Sequence, residues 1–330
     1  MKRMMHRSHS NTLRALIVAA GVAMLGGVAM AQDYPNRPIT ALYPAAGGGT
    51  VEQGLRIIST EAGKILGQPI LVEARPGANG MIAANAVKQA RGNPYLLGLL
   101  NNGVTVTVPL VSSAKLEIVT DYVPVSVLLS TNLVVIANPG APFRDIAGLI
   151  AYARSNPGKL NMAVVGTASN THLALELLKF QAGVDIHNIP YKGEAQAVPA
   201  VLGGEVMTAI VSSTAKPNVD SGRLRALATT GPERWALFPG TPALKESGYP
   251  DFSVIGWFGV AAPPGTSPEV VAKLHGAYAA ALKNPAVRKA VSEDLGLDLI
   301  GTTPEEMAAM IRRDRDRWEP VVRKAGIRIE

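Results

Sequence analysis

The stretch PAAGGGTVEQ, residues 44–53, separates a short apolar run from a helical pattern. The run from Ile39 to Tyr43 predicts a strand, and apolar residues recur at helical spacing after the loop until Gly67. Thr50 stands three residues before Gln53, which is the spacing of a capping box at a helix start. Glycines let the backbone approach a ligand closely, and the N–H groups of a first helical turn point at it. The stretch therefore predicts a strand, a bare loop and a helix N-terminus suited to an anion such as a carboxylate or phosphate.

The alternative for this loop is a tight strand-to-helix turn with nothing bound, and the spacing alone leaves both interpretations open. No glycine follows at the offset of a dinucleotide-binding G-x-G-x-x-G, and no Gly-Lys-Ser/Thr follows as in a P-loop. The loop therefore has neither of the two common nucleotide-binding patterns.

Residues 1–31 have the pattern of a secretory signal peptide. Four basic residues precede the apolar run Ala15 to Val28, and Ala29-Met30-Ala31 is an A-x-A cleavage site. The run is shorter than the ~20 residues of a membrane span. The chain has no cysteine, which excludes disulfides, a thiol nucleophile, a thiolate metal site and a lipidated N-terminal cysteine. We expect a cleaved leader and a periplasmic protein without a lipid anchor.

The charge of the chain excludes a nucleic-acid-binding footprint. The full chain carries 32 Lys and Arg against 25 Asp and Glu, and removing the four basic residues of the leader leaves 28 against 25, or +3. That balance is too small and too scattered for nucleic acid and fits an anionic small ligand. About 300 residues remain, enough for two domains of ~100–200 residues each.

Strand and helix patterns alternate along the chain, which predicts an α/β fold with parallel sheet. Two long apolar segments interrupt the alternation, at Val123 to Ala137 and at Phe252 to Ala262. Both are long enough to cross from one domain to another, and the strand–helix pattern restarts between them. After Ala262 the pattern predicts three helices, opened by Ser267-Pro268, Pro285 and Thr303-Pro304.

Seven segments occur in one order along the chain after the leader. They are YPNRPIT (34–40), AGGGTVE (46–52), LGQPILVEARPGANG (66–80), the loop-helix GTASNTHLALELLK (166–179), IPYKG (189–193), SGRLRALA (221–228) and GWFGVAAPPGTSPEVV (256–271). Together they resemble the tripartite tricarboxylate transporter receptors, also called the Bug family of periplasmic solute-binding proteins.

The resemblance implies an α/β, two-lobe fold of the periplasmic-binding-protein kind (a venus flytrap, type II) with two crossover hinge strands. We expect lobe one at 33–128 plus 252–330 and lobe two at 129–251. The family binds small carboxylates between the lobes, largely through backbone amides and waters of one loop per lobe, and hands them to a membrane permease. Those loops correspond here to residues 45–50 and 166–171.

The chain departs from the family pattern in the segments that would contact a ligand. Glu52 stands where the family usually has Asp, and Tyr43-Pro44 reverses the usual Pro-aromatic order. Many members carry an Asp near Val211 or Ser212, where this chain has hydroxyl residues. The resemblance therefore leaves the identity of the carboxylate open.

The candidate ligand-binding residues lie in loops that follow predicted strands. They are Ala46, Gly47, Gly48, Gly49, Thr50, Glu52, Asn101, Asn102, Gly103, Thr167, Ala168, Ser169, Asn170, Thr171, Ser212 and Ser213.

Several of these residues also have a purely structural interpretation. Glu52 is favoured by the helix dipole whether or not it contacts a ligand. Ser169 or Asn170 caps the helix that follows, which leaves the other side chains of that loop free for a ligand. Asn101-Asn102-Gly103 is either an ordinary turn or part of the site, because ligands of open α/β sheets lie beyond the carboxyl ends of strands.

Four residues outside this set are assigned to packing or to the solvated surface. A helix N-terminus disfavours the charged form of His172, so we expect a neutral packing role there. Lys192 is expected on the solvated surface, and Trp257 and Phe258 in the hinge and core.

The usual signatures of an enzyme are absent from the sequence. Only three histidines follow the leader, and there is no G-x-S-x-G elbow and no paired-histidine metal spacing. We expect no catalytic residues, metal or cofactor, and a monomer whose partners are a small carboxylate and permease subunits. The alternatives are a secreted α/β enzyme acting on an anionic substrate, and a ligand sensor whose partner is a histidine-kinase ectodomain.

Overall fold

The computed structural model describes residues 34–112, 118–166 and 169–327. The predicted leader lies outside the described residues, as do the site candidates Thr167 and Ala168. All elements named below belong to the compact unit Arg37–Glu330.

The strands are β1 (Ile39–Tyr43), β2 (Ile70–Ala74), β3 (Leu96–Asn101), β4 (Val123–Thr131), β5 (Val134–Ala137), β6 (Asn161–Val165), β7 (His187–Tyr191), β8 (Thr208–Val211), β9 (Arg225–Thr229), β10 (Gly256–Ala262) and β11 (Asp298–Leu299). The α-helices are α1 (Thr50–Leu66), α2 (Met81–Gln89), α3 (Val108–Val111), α4 (Ile118–Asp121), α5 (Ile146–Ser155), α6 (Asn170–Ala182), α7 (Glu194–Leu202), α8 (Lys216–Asp220), α9 (Pro268–Lys283), α10 (Pro285–Arg288) and α11 (Pro304–Ala325). Two π-helical turns, Gly103–Thr107 and Lys289–Asp294, precede α3 and follow α10.

The described strands form two sheets, which confirms the predicted α/β class. The first has the order β11-β4-β10-β3-β1-β2, and the second has the order β7-β6-β8-β5-β9. In the first sheet β1 is parallel to β2 and β3, while β10 is antiparallel to both β3 and β4. In the second sheet β6 is parallel to β7 and β8, and β5 is antiparallel to β8 and β9. The parallel units expected from alternation are present, and each sheet also contains antiparallel strands supplied by the crossing segments.

The segment 123–137 is two strands and not one. It contributes β4 to the first sheet and, after Asn132 and Leu133, β5 to the second. The return connection reaches the first sheet again at β10. Thr230, which is fully buried, ties the two crossings together. Its hydroxyl donates to the carbonyl of Val254 at 2.6 Å and accepts from the N–H of Leu133 at 3.2 Å.

The last helix, α11, is anchored to the crossover strand β10. Trp257 is fully buried, and its indole N–H donates to Asp314 at 2.8 Å. Burial raises the pKa of the Asp314 carboxyl, and the indole hydrogen bond opposes that rise. The expected packing role of Trp257 is confirmed. The predicted helix starts at Ser267 and Thr303 are confirmed too, since each side chain caps its helix and Thr303 forms a capping box with Glu306.

Gly259 on β10 provides a test of this packing. A Cβ there would lie 2.7 Å from the carbonyl oxygen of Ser126 and 3.1 Å from the Cα of Val127, both backbone atoms of β4. Gly259→Ala is therefore expected to destabilise the fold by about 1–3 kcal/mol through overpacking, measured by urea denaturation. Gly276→Ala on the exposed face of α9 meets nothing within 4 Å and is the control. Equal stability of the two variants would contradict the close approach of β10 to β4.

Candidate ligand-binding site

Loops from several strands meet at one edge of the first sheet. Strands β1, β3 and β4 end at this edge, and β10 begins there because it runs antiparallel to β3 and β4. The glycine loop 44–49, the segment Asn101–Gly103 and the crossing after Thr131 are therefore neighbours. This edge beyond the carboxyl ends of parallel strands is where open α/β sheets bind ligands.

The glycine loop does not use the capping box expected from Thr50 and Gln53, so that prediction is wrong. Thr50 is the first helical residue of α1, and the extended Gly49 occupies the N-cap position with no side-chain cap. The Gly48 N–H instead donates to the carboxylate of Glu52, the third residue of α1. The side-chain acceptor at this helix start is therefore the Glu52 carboxylate, which bonds a loop N–H group, and not the Thr50 hydroxyl.

Glu52 is buried, with only 4% of its surface exposed. Its Oε1 accepts from both Nε and Nη2 of Arg56, at 2.9 and 2.6 Å. A Cβ at Gly47 would lie 3.1 Å from Glu52 Oε2, so the loop closely surrounds the carboxylate. The Gly48 hydrogen bond, with a smaller contribution from Arg56, holds the pKa of Glu52 below its usual value despite burial. Glu52 is thus an internal anion that holds the loop in shape.

Part of the loop still offers donors to a ligand. Within the described chain, the N–H groups of Gly49, Thr50 and Val51 donate no hydrogen bond, as expected for a first helical turn. A Cβ at Gly48 or Gly49 would meet nothing within 4 Å, so this side of the loop faces open space. The loop is therefore an exposed cluster of backbone donors at the positive end of a helix.

The second predicted loop precedes α6. Ser169, one of the two residues predicted to cap this helix, is its N-cap, and it accepts from the His172 N–H at 3.2 Å while donating to the Gly166 carbonyl at 2.9 Å. Thr171 Oγ1 accepts from the Val165 N–H at 2.7 Å. The expectation that the remaining side chains of this loop are free is therefore wrong for Thr171, because its hydroxyl closes the loop instead.

Asn170 is also engaged, since it pairs with Asn102 across the two sheets. Asn102 Nδ2 donates to Asn170 Oδ1 at 2.9 Å and to the Ile255 carbonyl at 3.2 Å, and Asn170 Nδ2 faces Asn102 Oδ1 at 3.3 Å. A Cβ at Gly256 would lie 2.9 Å from Asn170 Nδ2 and 2.6 Å from Thr131 Oγ1. The absence of a side chain at Gly256 lets the amide pair form beside the crossing strands.

Asn101 and Gly103 shape the segment that presents Asn102. Asn101 ends β3, and its Oδ1 accepts from the Val104 N–H at 2.9 Å. The chain continues from Asn102 into a π-helical turn, so this is not an ordinary Asn-Gly turn. Of the three residues, Asn102 is the one that contacts the other loop.

Ser212 and Ser213 follow β8 in the second sheet. Ser212 donates to Glu194 through both its N–H and its hydroxyl, each at 2.7 Å, and the Thr214 hydroxyl also bonds this carboxylate. The sequence analysis did not select Glu194. The rule that selected Ser212 could have found it, because Glu194 lies three residues after the end of β7 and thus at the carboxyl end of a strand.

Aromatic residues lie beside the glycine loop. The rings of Tyr43 and the half-buried Phe258 are 6.1 Å apart between centroids. Burial, together with the charge of Glu52, raises the pKa of Tyr43 to about 12, so the phenol stays neutral. Burial also lowers the pKa of His172, in agreement with the predicted neutral role.

A surface cavity of about 520 Å³ lies away from these loops, between the last turns of α6 and α11. It is lined partly by Lys179 and Glu176, which form an ion pair at 2.8 Å. None of the predicted site residues borders it, whereas the N–H groups of Gly49 to Val51, at the sheet edge described above, donate no hydrogen bond within the described chain. Among the described residues no cluster of three metal-ligating side chains occurs, and no described helix combines the length and apolarity needed to span a membrane.

The charge on Glu52 provides a test of the loop geometry. Its folded-state pKa is lowered, so its contribution to stability is present above the unfolded pKa of about 4.3 and is lost as the pH falls through the lowered value. Glu52→Gln is expected to cost about 1.5 kcal/mol at pH 7 and less at acidic pH, measured by denaturation across pH.

Glu73→Gln is the matched control for that experiment. Glu73 pairs with Arg75 at the surface, with half of its side chain exposed, and its loss is expected to cost less than about 0.5 kcal/mol. A pH-independent effect of Glu52→Gln, or one as small as that of Glu73→Gln, would contradict the internal-anion assignment.

Comparison with known proteins finds similar sequences and similar structures. Residues 55–327 match the sequence model of the tripartite tricarboxylate transporter family receptor. Protein BugT of Bordetella pertussis is 33% identical over 97% of this chain and 100% of its own length. The periplasmic binding protein BugD has a similar structure, with a TM-score of 0.75, 30% identity and coverage of 90% of this chain and 100% of BugD. The R. palustris protein Rpa4515, solved with adipate, has a TM-score of 0.78 and 31% identity, with coverage of 90% and 99%.

Proposed function

Because this chain belongs to the tripartite tricarboxylate transporter receptor family, we propose that it captures a small carboxylate between two lobes and delivers it to a membrane permease. The observation that carries the proposal is the Asn102–Asn170 contact, which joins the edge of the first sheet, where the glycine loop before α1 lies, to the first residue of α6. The neighbour Rpa4515 was solved with adipate, which supports a carboxylate as the ligand.

The proposed lobes follow the two sheets. Lobe one is 33–128 plus 252–330 and lobe two is 129–251. The first sheet and α11 then lie in lobe one and the second sheet in lobe two, with the end of β4 as the one overlap. The crossings at Leu133 and Val254, joined through Thr230, form the hinge.

The mechanism proposed is binding by backbone donors. In an open state the carboxylate reaches the N–H groups of Gly49, Thr50 and Val51, and closure adds the first turn of α6. Hydrogen bonds to a charged acceptor contribute about 1.5–3 kcal/mol each. Because donors come from both lobes, the ligand binds the closed form better than the open one, which is the energetic requirement for closure.

No chemical step is proposed. The family is a receptor family, and polar side chains around the loops form hydrogen bonds with other protein groups. Asn170 bonds Asn102, and Thr171 bonds the backbone of its own loop. The proposed location is the periplasm, supported by the leader pattern at residues 1–31 and by the periplasmic relative BugD.

Gly49→Leu tests the site without straining the backbone. Gly49 has φ −83° and ψ 162°, which any residue can adopt, whereas Gly48 has φ +91° and would be strained by a side chain. Wild-type protein is expected to gain about 2.7 kcal/mol of stability from a carboxylate at a hundredfold excess over its Kd. Gly49→Leu is expected to fold, with a capping cost of about 1 kcal/mol. It is expected to lose the stabilisation by carboxylate because the leucine side chain fills the open space next to the N–H groups of residues 49–51.

The measurement is a thermal-shift screen of carboxylates, followed by calorimetry. Gly276→Leu, on the exposed face of α9, should keep the ligand-induced shift. Neutral sugars should produce no shift with any variant. Unaltered carboxylate affinity in Gly49→Leu would place the ligand elsewhere.

A further inference from the structure

We propose that Glu194 determines ligand specificity, so that this receptor prefers carboxylates that also carry an ammonium group over dicarboxylates. The inference rests on the proposed function and specifies the class of its substrate. It starts from the Glu194 carboxylate at the edge of the second sheet, which forms no ion pair with any described residue.

The strand order places Glu194 at the wall of the proposed cleft. Strand β6 lies between β7 and β8, and Val165 at its end is level with Tyr191 at the end of β7. The bond from Glu194, after β7, to Ser212, after β8, therefore spans the end of β6, across two strand spacings of about 4.8 Å each. The loop that leaves this end leads to Asn170, which contacts lobe one. The carboxylate thus lies at the end of β6, the strand that directly precedes the proposed ligand-binding loop.

The donors around Glu194 are already used. Both oxygens accept bonds from Ser212, at 2.7 Å each, and the second also bonds Thr214. Ser212 therefore cannot offer the same N–H and hydroxyl to a ligand carboxylate. What this part of the wall presents to a ligand is an acceptor with a negative charge.

No cation balances that charge among the described residues. Lys192 and Lys216, the basic residues adjoining Glu194 and Thr214 in sequence, form no ion pair with it, and Lys216 pairs with Asp220 instead. The acid of the first loop differs, because Glu52 is paired with Arg56 at 2.6 Å. The two walls are therefore unequal, with a neutralised carboxylate in lobe one and an unneutralised one in lobe two.

This difference in charge between the two walls discriminates among ligands by the group that they carry at the end opposite the bound carboxylate. One carboxylate of the ligand would occupy the donors at the helix N-termini. Closure removes water, which strengthens the interaction of Glu194 with whatever group lies next to it. A second carboxylate is repelled there and an ammonium group is attracted.

The test compares ligands that differ only at this end. Pentanoate, 4-aminobutyrate and glutarate share one carboxylate and carry a methyl, an ammonium and a second carboxylate at the other end. Homologues one carbon shorter and one carbon longer in each series vary the distance between the two ends of the ligand. Calorimetric titration of the wild type is expected to rank the ammonium form first and the dicarboxylate last, with about tenfold between them.

Glu194→Gln keeps the shape and removes the charge. It is expected to weaken binding of the ammonium form about tenfold and to tighten binding of the dicarboxylate by a similar factor. Asp185→Asn removes one charge at the opposite end of β7, on the exposed surface of the same sheet, and should change neither affinity.

The possible outcomes separate the two proposals. A wild type that prefers the dicarboxylate, or a Glu194→Gln variant with an unchanged order, would overturn the role of Glu194 while leaving a carboxylate receptor. If no member of the three series binds the wild type, the proposed function itself fails. The wild-type order requires no variant, so poor folding of Glu194→Gln would not remove the test.

Discussion

Backbone N–H groups at the start of a helix must find an acceptor, and this constraint organises the whole edge of the first sheet. In α1 the Glu52 carboxylate supplies one acceptor from within the helix, for the Gly48 N–H, while the N–H groups of Gly49 to Val51 donate no hydrogen bond within the described chain. In α6 the Ser169 hydroxyl caps the turn and Thr171 closes the loop. The protein therefore satisfies the donors that shape each loop and leaves exposed those of the first loop that face open space.

The same arrangement depends on positions without side chains. Gly47 leaves room for the Glu52 carboxylate, and Gly256 leaves room for the Asn102–Asn170 pair where the chain crosses between sheets. That amide pair and the Thr230 hydrogen bonds lie close to the crossings at Leu133 and Val254. These few polar contacts link the two places where the chain passes between the sheets.

Acidic side chains give the site its individual character. Glu52 and Glu194 both bond loop donors, but only Glu52 has a described cation partner, Arg56. Hydroxyl and amide donors fix the position of each carboxylate, and the specificity proposed for Glu194 rests on that placement. Family membership sets the general class of ligand, whereas such local differences decide among its members.

The sequence by itself determined the α/β class, the glycine loop before α1, the restriction of the α6 cap to Ser169 or Asn170, and the helix starts at Ser267 and Thr303. These features follow from local periodicity and from hydrogen bonds between residues only a few positions apart, so the chain order contains the necessary information. It also indicated the family through segments that are continuous in the chain. It missed α5 and α7, and it treated residues 123–137 as a single crossing segment, because apolar runs do not record which sheet a strand joins.

Only the tertiary structure decided that Glu52, and not Thr50, provides the side-chain acceptor at the start of α1. It also decided that Asn102 bonds Asn170, 68 positions away, and that Glu194 bonds Ser212, 18 positions away. The Asn102–Asn170 and Glu194–Ser212 contacts depend on strand order and register, which bring together side chains that no local pattern relates. The Gly48–Glu52 bond accompanies a helix that begins with Thr50 as its first helical residue and not as its N-cap. Side-chain type alone cannot tell whether a polar group is left for a ligand or is already bonded within the fold, and that distinction defines this site.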